Sequence, residues 1–125
     1  MKELTKAEEQ VMQELWALNK CFVKEIVQKF SEPKPAYNTI STIVRILEKK
    51  GFVSHNSYGK THEYFPVISK NEYRRLLMKG MVKNYFAGSF TQLVSFFTSE
   101  HKMTLSELEE LHQIMEKEIT KSKKE

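Results

Sequence analysis

Residues 37–50 have the sequence YNTISTIVRILEKK and are followed by Gly51. Apolar side chains recur in it three and four residues apart, which predicts a helix that buries Tyr37, Ile40, Ile43, Val44 and Leu47. At 100° per residue, four polar side chains share a narrow arc on the opposite side: Asn38, Thr42, Arg45 and Lys49. Gly51 predicts the end of the helix, because glycine tolerates a positive φ.

The residues before this stretch predict two shorter helices. Thr5 and Glu8 have the spacing of a capping box, and an apolar stripe follows them, so we expect a first helix over about 6–18. A second stripe predicts another helix over 23–30. Prolines within residues 31–35 then mark a turn, because each disfavours helix at the residue before it.

The residues after Gly51 predict a hairpin. Segments 52–57 and 61–67 have extended character, and the three residues between them are few enough for a tight turn. Three short helices followed by one hairpin is the order of a winged helix-turn-helix domain, in which the hairpin is the wing. We therefore predict such a domain, with a two-stranded wing, over residues 1–68.

Residues 69–125 predict three further helices. Two more capping boxes begin at Ser69 and Thr104 and predict helices that run to about residues 87 and 121, while a short apolar helix starts near Phe90. These helices carry more apolar surface than a segment of this length can bury by itself.

A second copy of the chain would cover this apolar surface. We therefore expect a mainly α-helical homodimer with residues 69–125 as its dimerisation region. The side chains expected at the interface are Leu76, Leu77, Met81, Tyr85, Phe90, Leu93, Val94, Phe97, Leu108, Leu111 and Met115. The alternative is that these helices fold back onto the N-terminal domain.

The charge pattern points to double-stranded DNA as a partner. The net charge of +4 is modest, but residues 34–62 hold five Lys and Arg residues against Glu48 alone. Short Asn and Thr side chains let a helix approach base edges, Arg can bridge two guanine acceptors, and Lys suits phosphate. The predicted DNA-binding residues are Asn38, Thr39, Ser41, Thr42, Arg45, Lys49, Lys60 and His62; the alternative is a solvated face.

Several other classes of protein are disfavoured. No catalytic arrangement stands out, so we expect neither an enzyme nor a cofactor, and Cys21 is expected in the core. The wing histidines His55 and His62 can approach each other but lack an evident third ligand, so no metal site is predicted. One cysteine, no apolar run of membrane-spanning length and no signal-peptide core favour a cytoplasmic protein without membrane insertion.

Two alternative functions stay open. A winged helix can also bind an acidic protein partner, and selectivity for a DNA sequence would separate that role from DNA reading. A ligand-sensing regulator would instead need a pocket, for which the apolar candidates are Met78, Met81, Tyr85, Phe96 and Phe97. No polar anchors converge on these residues in the sequence.

Residues 39–52, TISTIVRILEKKGF, resemble the recognition-helix block of the penicillinase-repressor family, the BlaI/MecI/CopY type. Residues 9–16, 64–67 and 88–94 resemble further blocks of the family in the same order. The resemblance implies homodimers that bind dyad-symmetric, palindromic promoter sites and repress transcription. Thr39 and Thr42 stand where the family has base-reading threonines, whereas Asn38 replaces a lysine that is common there.

The resemblance also bears on how repression ends. In the beta-lactam-responsive members the dimerisation region is cleaved, in a pathway that a membrane sensor protease begins. The matching bond here is Phe96–Phe97, although the family's resistance repressors carry Asn at the first of these positions. The chain lacks the C-terminal cysteine cluster of the copper-responsive branch, so no copper switch is expected.

Overall fold

The structure is a computed structural model that describes residues 3–124. Its elements, in chain order, are α1 (Lys6–Leu18), β1 (Cys21–Phe22), α2 (Val23–Gln28), α3 (Tyr37–Lys49), β2 (Val53–Tyr58), β3 (Thr61–Pro66), α4 (Lys70–Tyr85), α5 (Phe90–Glu100) and α6 (Leu105–Lys124). The chain divides into two compact units, Met1–Gly80 and Met81–Glu125, here called the first unit and the second unit. The predicted winged helix-turn-helix is confirmed in the first unit.

The three predicted capping boxes are confirmed. The Thr5 hydroxyl accepts a hydrogen bond from the Glu8 N–H at 3.2 Å, and the Glu8 carboxylate accepts one from the Thr5 N–H at 2.9 Å. The same reciprocal pairs begin α4 at Ser69 and α6 near Thr104. Each box satisfies N–H groups that the first turn of a helix leaves without partners, so these helix starts are encoded locally.

The core of the first unit lies between the helices and the sheet. The largest fully buried side chains come from α1, α2, α3 and the start of the wing: Phe52, Met12, Leu15, Ile26, Leu47, Val11 and Val44. The predicted buried side of α3 is confirmed for Ile40, Val44 and Leu47. Tyr37 is an exception, since it is 54% exposed at the first residue of the helix, beyond the reach of the core.

The predicted two-stranded wing is confirmed as the β2–β3 hairpin, and β1, which the sequence did not predict, adds a third strand to its sheet. Its strand order is β1-β3-β2, and β1 pairs antiparallel with β3 through Cys21 opposite Tyr64 and Phe22 opposite Glu63. Tyr58 pairs with Thr61 at the end of the hairpin, which leaves a two-residue turn. Gly59 within that turn has φ +64°, a conformation that glycine adopts without strain.

The start of α4 belongs to the first unit. The Tyr73 side chain is 4% exposed, and its hydroxyl oxygen accepts a hydrogen bond from the Leu4 N–H at 2.8 Å. The Tyr73 ring also meets the ring of Phe52 edge-on, with centroids 5.7 Å apart. The core of the first unit therefore extends past the hairpin into the first turns of α4.

The second unit consists of the end of α4 with α5 and α6. No residue of α5 or α6 within the described chain is buried, although the rings of Phe86 and Phe96 lie 5.6 Å apart. Many of its large apolar side chains are exposed, as the apolar stripes in the sequence led us to expect. None of the described helices is both long and apolar enough to span a bilayer.

Candidate nucleic-acid interface

The polar side of α3 is the centre of the candidate interface. Its buried side is held by Ile40, Val44 and Leu47, so the opposite side must face outward. Five of the predicted DNA-binding residues on this helix are exposed, and Ser41 is half-buried; the exposed ones are Asn38, Thr39, Thr42, Arg45 and Lys49. The helix therefore presents an exposed, mostly polar face, here called the α3 face.

Two side chains of the α3 face are bonded along the helix itself. The Thr42 hydroxyl donates to the Asn38 carbonyl at 2.9 Å, and the Arg45 Nε–H donates to the Ser41 carbonyl at 3.4 Å. With its hydrogen used in this way, Thr42 can offer a base edge its acceptor lone pairs and its methyl group. The Arg45 guanidinium keeps its two terminal amino groups for a bidentate acceptor pair.

Lys50 is held inside the first unit rather than offered to a partner. Its Nζ lies 2.7 Å and 2.9 Å from the two carboxylate oxygens of Glu8, whose side chain is only 8% exposed. Burial raises the pKa of Glu8, but the bonds from Lys50 and Thr5 together outweigh burial, and the net pKa lies below the ordinary value. The pair joins the C-terminal end of α3 to α1.

Lys34 is also used internally. Its Nζ donates to the carbonyl oxygens of Gln28 at 3.0 Å and Phe30 at 2.7 Å, at the end of α2. Lys34 and Lys50 were two of the five Lys and Arg residues counted within residues 34–62, but the side chains of both are bonded within the fold. The exposed cations of that stretch are Arg45, Lys49 and Lys60.

The carboxylate of Glu48, the only one on α3, is bonded to the wing. His55 Nδ1 on β2 lies 2.6 Å from Glu48 Oε2, and both side chains are about 70% buried. Because a carboxylate only accepts hydrogen bonds, His55 Nδ1 carries the hydrogen. This bond joins the last turn of α3 to the wing.

The predicted approach of His55 and His62 is confirmed. Their rings stack with centroids 4.0 Å apart and an interplanar angle of 6°, and the ring of Tyr64 lies beside both. Burial raises the pKa of Tyr64, the Glu48 carboxylate raises it further, and Arg45 lowers it. Within residues 3–124, no three or more His, Cys, Asp and Glu side chains are arranged to hold a metal ion.

The tip of the wing extends the exposed surface. Lys60 is exposed in the turn, and Tyr58 is 58% exposed while its ring meets that of Phe22 edge-on at 6.4 Å. His62, predicted to bind DNA, is half-buried against His55. Lys60 is thus the exposed cation at the turn of the wing.

Sequence reasoning missed Ile46. This side chain is 39% exposed and lies one helical turn beyond Thr42, on the α3 face. The signal was present in the sequence, because position 46 continues the polar series from position 42. Ile46 was in neither the predicted buried set nor the predicted DNA-binding set.

Cys21 is buried, as expected. Its burial, with the Glu25 carboxylate as the next contribution, raises the pKa of the thiol to about 12. Such a thiol stays protonated near neutral pH, and the thiolate is the reactive form of cysteine. Cys21 therefore acts as a small core residue.

The side chains predicted at the dimer interface fall into two groups. Leu76 and Leu77 are half-buried and pack against the core of the first unit. The other nine lie in the second unit. Six of them are exposed, namely Met81, Tyr85, Phe90, Phe97, Leu108 and Met115, and three are half-buried, namely Leu93, Val94 and Leu111. All five residues considered for a ligand pocket are also exposed: Met78, Met81, Tyr85, Phe96 and Phe97.

Residues 4–117 match the protein family described as "Penicillinase repressor". The chain belongs to the penicillinase repressor family. It is therefore a DNA-binding transcriptional repressor, and the resemblance predicted from residues 39–52 is confirmed.

Individual relatives share the length of the chain. The methicillin resistance regulatory protein MecI of Staphylococcus aureus (strain N315) is 26% identical over 116 residues, which cover 92% of this chain and 94% of that protein. The penicillinase repressor of Bacillus licheniformis is 25% identical over 122 residues, or 97% and 95% of the two chains. The solution structure of the DNA binding domain of the repressor BlaI is 28% identical, with a TM-score of 0.49, and covers 58% of this chain and 94% of that one.

Proposed function

We propose that this repressor binds a dyad-symmetric DNA operator as a homodimer, with α3 of each protomer reading bases in the major groove. The exposed α3 face carries this proposal. Asn38, Thr39, Ser41, Thr42 and Arg45 supply the short polar and guanidinium groups that suit base edges. Lys49 on α3, with Lys60 and His62 on the wing, supplies phosphate contacts.

The charge of the α3 face supports an anionic partner. Glu48 would oppose phosphate at close range, but its carboxylate is bonded to His55. Arg45 and Lys49 lie on the exposed side of the same helix. The bonds Glu8–Lys50 and Glu48–His55 also hold the end of α3 to α1 and to the wing, so little ordering is needed when DNA binds.

The second unit supports the homodimer. Exposed side chains such as Phe90, Phe97 and Leu108 would leave a large apolar surface in water, and surfaces of this kind usually mark interfaces. A two-fold copy covers the same surface on both protomers. It also presents two copies of α3 to a palindrome, and linking two half-site contacts raises the affinity.

Release of the operator would follow cleavage of the Phe96–Phe97 bond, in a pathway begun by a membrane sensor protease. Both side chains are about half exposed, and the bond lies in the unit proposed to dimerise, so cleavage would weaken the dimer and with it DNA binding. The bond lies inside α5, so this helix must open locally before a protease can bind it in extended form. Since a repressor must reach the DNA that it binds, we expect the protein in the cytoplasm.

Selection from a random DNA pool with the full chain tests this function. We expect a palindromic consensus, and a complex whose mass corresponds to two chains on one operator. Enrichment of no sequence would reject base reading and favour a protein-interaction role for the winged helix. Blotting the chain from cells during derepression tests the release step, since an intact chain would exclude cleavage.

A further inference from the structure

Ile46 is an exposed apolar residue on an otherwise polar face. The core side of α3 is formed by Ile40, Val44 and Leu47, which are at most 2% exposed, whereas Ile46 is 39% exposed. Position 46 lies about 100° around the helix from Leu47 and about 40° from Thr42. The packing of the first unit therefore does not account for an isoleucine at this position.

Isoleucine is an unfavourable choice for an ordinary exposed helix position. Its branched β-carbon loses rotamer freedom in a helix, and Ala, Lys, Arg and Gln all have higher helix propensity. Single exposed apolar residues are common on protein surfaces, so exposure alone has little meaning. The position of Ile46 is informative, because it directly follows Arg45 and lies one turn beyond Thr42 on the α3 face.

We propose that Ile46 is a specificity-determining residue that recognises thymine through its C5-methyl group. This inference rests on the proposed function, since it requires α3 to lie in the major groove. The thymine methyl is the apolar group among the base edges of that groove, and apolar side chains contact it. Arg45 and Ile46 then recognise different bases from adjacent positions, guanine through its two acceptors and thymine through its methyl group.

The neighbours of Ile46 leave room for this contact. The Thr42 side chain is shorter than isoleucine, and its hydroxyl is bonded back to the Asn38 carbonyl at 2.9 Å. Glu48 is bonded to His55, so its carboxylate is directed to the wing. Lys49, about one turn further along the α3 face, is the long exposed side chain beside Ile46, and its flexible stem can turn toward phosphate while a base edge meets Ile46 from the Thr42 side.

The expected effect is that of one buried methyl group. Burying a methyl or methylene group contributes about 0.8 kcal/mol, which corresponds to a fourfold change in affinity. Replacing the contacted thymine by uracil removes only the methyl group and should weaken binding about fourfold per half-site. Ile46→Ala should weaken binding to the thymine operator and abolish the difference between thymine and uracil.

The test uses the operator selected with the full-length wild-type chain. Each thymine of one half-site is replaced in turn by deoxyuridine, and affinities are measured by fluorescence anisotropy for wild type, Ile46→Val and Ile46→Ala. We expect one position at which wild type and Ile46→Val lose affinity on the change to uracil and Ile46→Ala does not. Val67→Ala is the matched control, because Val67 is 52% exposed but lies outside α3 and the wing turn, and it should behave as wild type.

The possible outcomes are distinct. If wild type selects an operator but no thymine position is coupled to Ile46, the inference is overturned while the proposed function stands. Equal weakening of all DNA variants by Ile46→Ala would likewise reject thymine recognition and indicate a backbone contact. If wild type selects no DNA sequence, the proposed function fails and this inference fails with it. Circular dichroism of Ile46→Ala checks that the variant is folded.

Discussion

The ion pair between Glu8 and Lys50 is buried mainly on the Glu8 side. Removing Lys50 should therefore cost more stability than removing the charge of Glu8. The Glu8 side chain is 8% exposed, whereas Lys50 is 27% exposed. Lys50→Met strands a carboxylate in the interior, whereas Glu8→Gln leaves an ammonium that can turn toward water on its long flexible stem. Glutamine also keeps the capping bond to the Thr5 N–H, since Gln serves at this position of a capping box.

The burial of the two partners sets the expected magnitudes. Removing one partner of a fully buried pair costs about 3–5 kcal/mol, and the partial exposure of Lys50 reduces this, so we expect about 2–3 kcal/mol for Lys50→Met. For Glu8→Gln we expect about 1 kcal/mol, the ordinary net value of a hydrogen bond. The matched control is Lys49→Met at the exposed neighbouring position, which should stay within about 0.5 kcal/mol of wild type.

The assay is urea unfolding of the full chain at a series of pH values. The folded-state pKa of Glu8 is lowered, so its stabilising effect is complete above its ordinary pKa of 4.5 and is lost as the pH falls through the lowered value. The difference between wild type and Glu8→Gln should therefore shrink in acid. In Lys50→Met the bonds from Lys50 no longer oppose the effect of burial, so the pKa of Glu8 should rise. Protonation of Glu8 should then begin at a higher pH than in wild type, and it should relieve the loss of stability.

Two results would refute this reasoning. Equal free-energy losses for Lys50→Met and Glu8→Gln at neutral pH would show that the Glu8 carboxylate is not effectively buried. A loss in Lys50→Met that stays constant between pH 7 and pH 4 would show that no stranded charge causes it. The double variant Glu8→Gln/Lys50→Met should be more stable than Lys50→Met alone, because it contains no buried charge.

Three further predictions concern DNA binding and assembly. His55→Ala should weaken operator binding by about 1 kcal/mol, because it frees the Glu48 carboxylate to repel phosphate. Adding Glu48→Gln to this variant should restore the affinity, which is measured by fluorescence anisotropy. Phe90→Asp in the second unit should shift the full chain toward monomer in sedimentation. Lys60→Ala should reduce the slope of log affinity against log salt by about 1, with little change in base preference.

Each of these predictions has a contradicting outcome. If Glu48→Gln does not rescue His55→Ala, the histidine acts through something other than this carboxylate. A Phe90→Asp chain that sediments as wild type would place Phe90 outside the interface. An unchanged salt slope in Lys60→Ala would mean that the turn of the wing does not contact phosphate.

Local signals in the sequence were sufficient for much of the fold. The capping boxes at Thr5, Ser69 and Thr104 depend on residues three apart, so the helix starts could be predicted without tertiary information. The same holds for α3, whose alternation of apolar and polar side chains separates its core side from its exposed side. Strand β1 could not be predicted, because two residues carry no periodic pattern and their pairing with β3 spans about forty residues.

The candidate site was only partly predictable for a similar reason. The exposed residues of the α3 face follow from helical geometry, but the internal bonds of Lys34 and Lys50 and the bond between Glu48 and His55 depend on how elements meet in space. A count of charges along the sequence therefore overstated the cations available to DNA. It also considered polar side chains only, so Ile46 was placed neither in the core nor among the DNA-binding residues.

Base reading by the α3 face can be tested by comparing the DNA sequences selected by wild type and by Arg45→Ala. We expect a palindrome for both, with half-sites spaced by whole helical turns. In the Arg45→Ala selection one position of each half-site should lose its preference, with affinity reduced by about 1–3 kcal/mol. An identical consensus bound with equal affinity by the two chains would contradict the claim.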